Sequence, residues 1–563
     1  MRRGSVVAVW IGVQLISWAT LPGAAQDGAG LVEEVRERVR TRIEAGEVPG
    51  ALSADGEPLR ARVALSSFYE RRAFEPAWIG ADGPMPHLDE LTTALEAGDL
   101  DGLRPGHYHG ARIAEALEET RARASAGLPA EPGALADLEL LSTDAFLLFA
   151  SHLSLGRVDP ESLDAKWVAN RREFDAAAAL ERGLAEGVRA TLAALRPRQA
   201  LYEGLRTAYE RYRALADAGG WPTVPDGPSL EPGARDPRAA AIRRRLAVTG
   251  EISAGELSVA GGSDLYDATL ERAVRTFQQR HGLGADGVVG PATLAALNVS
   301  AADRARTLWL NLERWRWLPA DLGRLHVIVN AANFELDVVE DGEEVFTSRV
   351  MVGRPFRRTP VFSDRISYLV VSPYWNVPHS LAVQDQVPAQ KRDTGYFARV
   401  GMRVFQGWGD EAAEIDPATI DWGRLEASRF PYRLRQDPGP LNFLGAVKIM
   451  FPNRFNVYLH DTPLREGYQR ARRDFSSGCI RVERALELAE FLLRPVPGWD
   501  MARMRRAVDA RREETVRLAS EVPVHLLYMT AWVARDGTVH FREDIYERDG
   551  PLETALHGGP PAG

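Results

Sequence analysis

Two side chains in the last third of the sequence, His460 and Cys479, are of types that can carry acyl transfer. A thiolate is a strong nucleophile, and an imidazole within reach can take the thiol proton and later deliver it to a leaving group. They sit in the segments Tyr458-Leu459-His460-Asp461-Thr462-Pro463 and Phe475-Ser476-Ser477-Gly478-Cys479-Ile480-Arg481-Val482. The first reads as the end of a strand. The second reads as the approach to a helix over 482–493, whose N-terminal dipole and free N–H groups would favour a thiolate at Cys479. Gly478 lets a substrate approach the backbone, and the N–H groups around Gly478 and Cys479 are candidates for holding an oxyanion. By itself such a pair is equally compatible with a satisfied edge histidine and an inert buried thiol.

The elements that must position these residues follow from a change of hydrophobic period. From residue 325 onward, β-branched residues alternate or run together over 325–329, 334–339 and 345–352, with Asp341-Gly342 as a hairpin turn. Further strands are expected at 367–371, 446–451, 455–459, 524–533 and 538–542. Between 384 and 436 the strand pattern lapses, and Phe397, Phe405, Trp408, Trp422, Phe430 and Tyr432 mark a long inserted lid. The β-rich domain therefore spans 325–545, followed by a C-terminal tail over 546–563.

Ahead of it the period is helical. Leu31, Val35, Val39 and Ile43 open a helical block over 31–218, and a Gly/Pro-rich linker covers 219–237. His107 and His109 form an H-x-H pair in a Gly/Pro-punctuated stretch with no third ligand nearby, which reads as a solvated loop and not a metal site. A compact unit over 238–300 holds an amphipathic helix ending at Gly282, an Asp286-Gly287 turn, and Pro291 near the start of another helix.

Whole-chain properties narrow the classes. At 563 residues, three or four domains are expected. A composition of 45% apolar and 26% charged residues argues against wholesale disorder, and a net charge of −9 argues against nucleic acid as a main partner. Arg2 and Arg3, the apolar run over 6–21, and Gly23, Ala24 and Ala25 follow the grammar of a secretory signal over 1–25, with an uncleaved membrane anchor as the alternative. A periplasmic or cell-envelope location is expected, with membrane contact only through that segment. An exported chain with one cysteine has no internal disulfide. No metal or other cofactor is expected.

Two stretches carry a family resemblance. The unit with Ala273-Val274 through Phe277-Gln278, Gly282-Leu283 and Asp286-Gly287 through Thr293-Leu294 resembles the small three-helix peptidoglycan-binding module found beside many wall enzymes. The H-D-T-P and S-S-G-C-I-R-V segments resemble the signature of the L,D-transpeptidase catalytic domain of the YkuD type, in its large multidomain form with a helical scaffold. The resemblance implies an α+β multidomain protein, with a mainly β catalytic domain built as a mixed β-sandwich carrying a lid. It implies Cys479 as nucleophile and His460 as base. Smaller members carry a second histidine two residues before the cysteine, where this chain has Ser477. Tyr458, Ser477 and Gly478 are implied at the oxyanion site, Arg481 as an orienting residue, and Trp375 at the substrate groove. Peptidoglycan stem peptides and glycan are the implied partners, and carbapenem-type compounds the implied inhibitors.

The implied reaction is formation of 3–3 cross-links through a cysteinyl thioester, with release of terminal D-alanine. Two alternatives stay open: a carboxypeptidase that lets water resolve the thioester, and a wall-binding scaffold without catalysis. A papain-like order places cysteine before histidine, the reverse of this chain. Four residues separate Cys479 from Arg484 where a phosphatase cradle calls for five, and the eleven histidines are too scattered for a zinc amidase.

Overall fold

The computed structural model describes residues 23–45, 52–168, 173–407, 412–426 and 429–558. The expected signal segment lies outside the described residues up to position 22, as does Trp408. The first described helix, α1 (Gly23–Ala45), begins inside the small-residue stretch that the sequence assigns to the end of the leader. Among the described residues no helix is long and apolar enough to cross a membrane.

Val35, Val39 and Ile43 of α1 are buried against α2 (Pro132–Leu155), whose centre from Leu138 to Ala150 is buried on every side. A helix buried on all sides is the centre of a helical domain, and here it anchors a cluster running from Val35 to Leu192. His109 corrects the solvated-loop reading. It is buried, its Nε2 is 2.9 Å from the Asp144 carboxylate, and Asp144 also accepts the Arg60 and Ala61 N–H groups. A polar group that deep must be paired. The pair is structural.

The next helix in the chain that bears on the site, α3 (Ala200–Asp217), belongs to a different core. Tyr202, Leu205, Tyr209 and Tyr212 join the cluster of the β domain. Four helices then form the compact unit, α4 (Arg238–Thr249), α5 (Ala254–Ala260), α6 (Ala268–Arg280) and α7 (Pro291–Asn298), one more than the resemblance implies. Ser253 caps α5 through a reciprocal capping box with Glu256. The stretch after it, unassigned by the sequence reading, is a buried helix, α8 (Ala301–Arg316). It packs along α3 and reaches the hairpin of Ala531–Val533 and Val539–Phe541.

The chain is α+β as expected, with a mainly β domain behind the helical units, and within that domain eight strands close into a barrel where a mixed sandwich was expected. In chain order they are β1 (Leu325–Asn330), β2 (Glu335–Glu340), β3 (Glu343–Met351), β4 (Phe362–Val371), β5 (Val447–Met450), β6 (Leu459–His460), β7 (Ile480–Val482) and β8 (Glu514–Leu527). Around the barrel the order is β5-β6-β7-β3-β2-β1-β8-β4. The pairs β6–β7 and β1–β8 are parallel and the rest antiparallel. Closure removes the free edges that a sandwich would have to protect. Asp341 and Gly342 take φ of 52° and 80°, the left-handed pair that a two-residue hairpin turn needs. Leu336, Val338, Leu369, Ile449, Leu459 and Ile480 fill the interior.

The sequence placed the insert at 384–436. It occupies all of the chain between β4 and β5, and it is not a loop. It carries a four-stranded sheet ordered Ala413–Ile415, Met402–Gln406, Tyr432–Gln436 and Trp375–Asn376. Phe397, Val404, Trp422 and Leu434 are its core. The expected tail is also structured: Asp549–His557 is a helix, α10 in order after α9 (Ala485–Leu493), with Leu552 and Leu556 buried in the β-domain core.

Candidate active site

Side chains alternate across a strand, so residues two apart share a face. Leu459 and Ile480 point into the barrel. Tyr458, His460, Cys479 and Arg481 therefore share its outer face. Register brings them together: β6 and β7 run parallel with His460 beside Arg481, and the Ile480 N–H donates to the Tyr458 carbonyl at 3.1 Å, which sets Cys479 beside Tyr458. On the other side of β6, Lys448 of β5 pairs opposite His460 and shares the same face. Sequence reading missed Lys448. A lone lysine in a short strand carries no signal until the register is known.

Cys479 does not cap a helix. It precedes strand β7, and α9 begins only at Ala485, so the expected support from a helix dipole is absent. The half-buried thiol correspondingly ionises less readily than a free one. Burial is the main cause, opposed by hydrogen bonds from the Tyr458 backbone N–H and hydroxyl and by the charges of Lys448 and Arg481. The Sγ lies 4.0 Å from the Asn456 carbonyl.

His460 is buried, and its Nδ1 lies 2.5 Å from the Asp461 carbonyl oxygen. A carbonyl only accepts, so Nδ1 carries the proton and Nε2 is left with its lone pair. Burial first, and then the Arg481 charge, lower the imidazole pKa to about 3. His460 is neutral at any physiological pH. Tyr458 packs edge-on to it with ring centroids 5.6 Å apart.

The loop before Cys479 is held from several directions. Gly478 has φ of 121°, a conformation that excludes a side chain without strain. Its N–H donates to Ser476 Oγ at 3.1 Å, and its carbonyl accepts from Thr359 Oγ1 at 2.9 Å. The Gly478 amide, expected as an oxyanion donor, is already committed. Ser477 Oγ accepts from Arg357 at 3.0 Å, and the same guanidinium donates to Gln384 at 2.8 Å and pairs with Asp385. Arg357 thus ties the cysteine loop to the first turn of the insert, a link the sequence spacing did not reveal.

Arg481 is half-buried, and desolvation lowers its pKa against the opposing effect of Tyr468 and Cys479. Tyr458, the neighbour of the thiol, packs against the cluster to which Trp375 belongs. Trp375 itself is buried in the insert's core with its ring 5.3 Å from that of Phe443. Among the described residues no group of three or more His, Cys, Asp or Glu is arranged to hold a metal ion.

Three stretches of the chain match known protein families. Residues 324–509 match the model described as the L,D-transpeptidase catalytic domain, residues 63–208 a scaffold domain, and residues 254–297 a "Putative peptidoglycan binding domain". A Haemophilus influenzae protein named "Putative L,D-transpeptidase" is 36% identical over 250 residues, which is 44% of this chain and 49% of that one. This chain thus spans about half the length of that relative. A Mycobacterium tuberculosis protein named N-acetylmuramoyl-L-alanine amidase CwlM is 40% identical over 93 residues, 16% of this chain and 23% of that one. A solved L,D-transpeptidase from Mycobacterium smegmatis is 12% identical over 36% of this chain and 58% of that chain, with a TM-score of 0.17, too low to add to the argument.

Proposed function

We propose that this chain, which carries an L,D-transpeptidase catalytic domain behind a scaffold domain and a peptidoglycan-binding domain, is an exported cysteine acyltransferase that forms 3–3 cross-links in peptidoglycan. The observation that supports it most is the shared face of Tyr458, His460 and Cys479, with the His460 Nδ1 proton committed to Asp461. That tautomer leaves Nε2 as the proton acceptor.

In this reading the Cys479 proton passes to His460 Nε2 and the thiolate attacks the carbonyl carbon of the third stem residue, the L-centre of diaminopimelate. Tyr458, set beside Cys479 by the β6–β7 register, steadies the negative charge as it moves onto oxygen. The bond to terminal D-alanine breaks, its amine leaves with the proton from His460, and a thioester remains. The side-chain amine of diaminopimelate on a neighbouring stem attacks that thioester, forms the new amide, and returns the thiol. Arg357 and the insert form the wall that excludes water while the thioester lives.

The test is to supply tetrapeptide muropeptides and read products by mass spectrometry as acceptor concentration rises. Cross-linked dimers are expected as the main product, with none from Cys479→Ala. Tripeptides dominating at saturating acceptor would make the protein a carboxypeptidase. No product of either kind from wild type would leave a wall-binding scaffold. A carbapenem should add once per chain at Cys479, seen by intact mass and absent in Cys479→Ala.

A further inference from the structure

With no helix N-terminus behind it, a thiolate at Cys479 needs positive charge from elsewhere. His460 is neutral until it takes the thiol proton, so it offers no charge in the resting site. Lys448 is the candidate. Strand register sets it opposite His460 on the outer face that also carries Tyr458 and Cys479. Its Nζ sits 3.9 Å from the centroid of the Tyr458 ring, whose hydroxyl reaches the sulfur. The groups around it are Tyr458 and His460 from β6, Cys479 and Arg481 from β7, Val370 at the paired position of β4, and Glu513 just before β8. Burial lowers the Lys448 pKa, opposed by the charges of Cys479 and then Glu513.

We propose that Lys448 is the cation that favours the thiolate of Cys479 as it forms, a positioning residue that acts by charge and takes no proton itself. Tyr458 serves as its platform: the ring face holds the ammonium by cation–π attraction, while the hydroxyl at the ring's far end bonds the sulfur. Part-burial strengthens the attraction, because the low local dielectric that disfavours each lone charge favours the pair. The thiol proton goes to His460, and Lys448 keeps its own throughout.

This role rests on Cys479 being the nucleophile, but it can be read without any substrate. Cys479 is the chain's single cysteine, so iodoacetamide, an uncharged reagent that consumes thiolate, reports on one site in the full-length protein. The rate of alkylation is measured against pH for wild type, Lys448→Met and Lys448→Arg, with folding checked by circular dichroism. In Lys448→Met the inflection should move up by about one pH unit, with alkylation about tenfold slower at pH 7, the low end of the effect of a neighbouring opposite charge. Lys448→Arg should restore most of the rate. A Lys448→Met profile that overlays wild type overturns the proposal, as does Lys448→Arg reacting no faster than Lys448→Met, which would reduce Lys448 to packing on Tyr458. Should Lys448→Met fail to fold, Lys448→Gln gives the same comparison. A shifted profile in a protein that never acylates muropeptides would sink the proposed function and leave the role of Lys448 standing.

Discussion

At His460 and Cys479 the two ionisations are far apart, and the consequence is a particular pH dependence. The imidazole, held to about 3, stays unprotonated with its Nε2 lone pair free at every pH where the protein is useful, though burial makes it a weaker base than a free imidazole. The thiol is pushed up by burial, so its thiolate fraction grows as pH rises. Single-turnover acylation should therefore climb with pH and show no inflection near 6.5, where an ordinary histidine titrates. An inflection there would mean that His460 is wetter than its position implies. His460→Ala should slow acylation by about 100-fold to 10,000-fold, the usual range for a lost acid–base group. Stopped-flow kinetics on the variant would show it, and a near-normal rate would move the base elsewhere. His460 and Cys479 stood out in the sequence through the H-D-T-P and S-S-G-C-I-R-V resemblance, since the pair alone fits an edge histidine and an inert thiol equally well. The source of charge for the thiolate did not, since a strand and a helix were equally good continuations of Ile480-Arg481-Val482.

At the level of elements, the insert between β4 and β5 is fastened to the cysteine loop through Arg357, which reaches Ser477, Gln384 and Asp385. Arg357→Ala should release the first turn of the insert. Hydrogen exchange over 379–392 should speed up while the barrel strands keep their protection, and acylation should slow about tenfold. Unchanged exchange would show that the insert's own core suffices to place it. Period and turn signals located β1, β2, β3 and the 341–342 hairpin well, because each strand has an apolar inner face and a turn with a definite sequence preference. They shortened β4 and missed the first half of β8, where Arg517 and Glu521 lie on strand positions with exposed side chains. The insert's strands were invisible for a related reason. Met402–Gln406 and Tyr432–Gln436 mix arginines with apolar residues and pair only with each other and two shorter neighbours. Distinguishing sandwich from barrel depended on the β4–β8 and β1–β8 pairings, and long-range register leaves no local trace.

For the whole molecule, buried histidines set a limit on acid stability. His152 and His460 are lowered to about 3, and His107, His525 and His540 to about 4, in each case chiefly by burial. The unfolded chain binds protons at these positions from about pH 6.5 downward, and the folded chain does not. Their contribution is thus complete above pH 6.5 and drains away as pH falls toward 4. Thermal unfolding at pH 7.5, 5.5 and 4.5 should show a steadily falling midpoint, and a flat series would contradict the burial. The seams between units carry their own stakes. Glu313 of α8 pairs with Arg316 at 2.7 Å, both fully buried, and accepts the Arg157 and Val158 N–H groups of the scaffold segment after α2. Glu313→Ala strands the Arg316 charge and should cost about 3–5 kcal/mol in urea unfolding. The same helix sends Arg314 to Asp549 of α10, and Trp309 to the Gly102 carbonyl. On the far side, Arg280 donates to the Val539 carbonyl, and His281 stacks on Phe541. One helix and one hairpin are thereby keyed to the scaffold block, the compact helical unit and the barrel domain at once. Such a molecule resists shuffling: a chimera cut at the tidy borders between matched regions, with a foreign wall-binding unit spliced in, would inherit the parts without the joinery, and its descendants would have to rebuild α8 and the hairpin together before the graft could take.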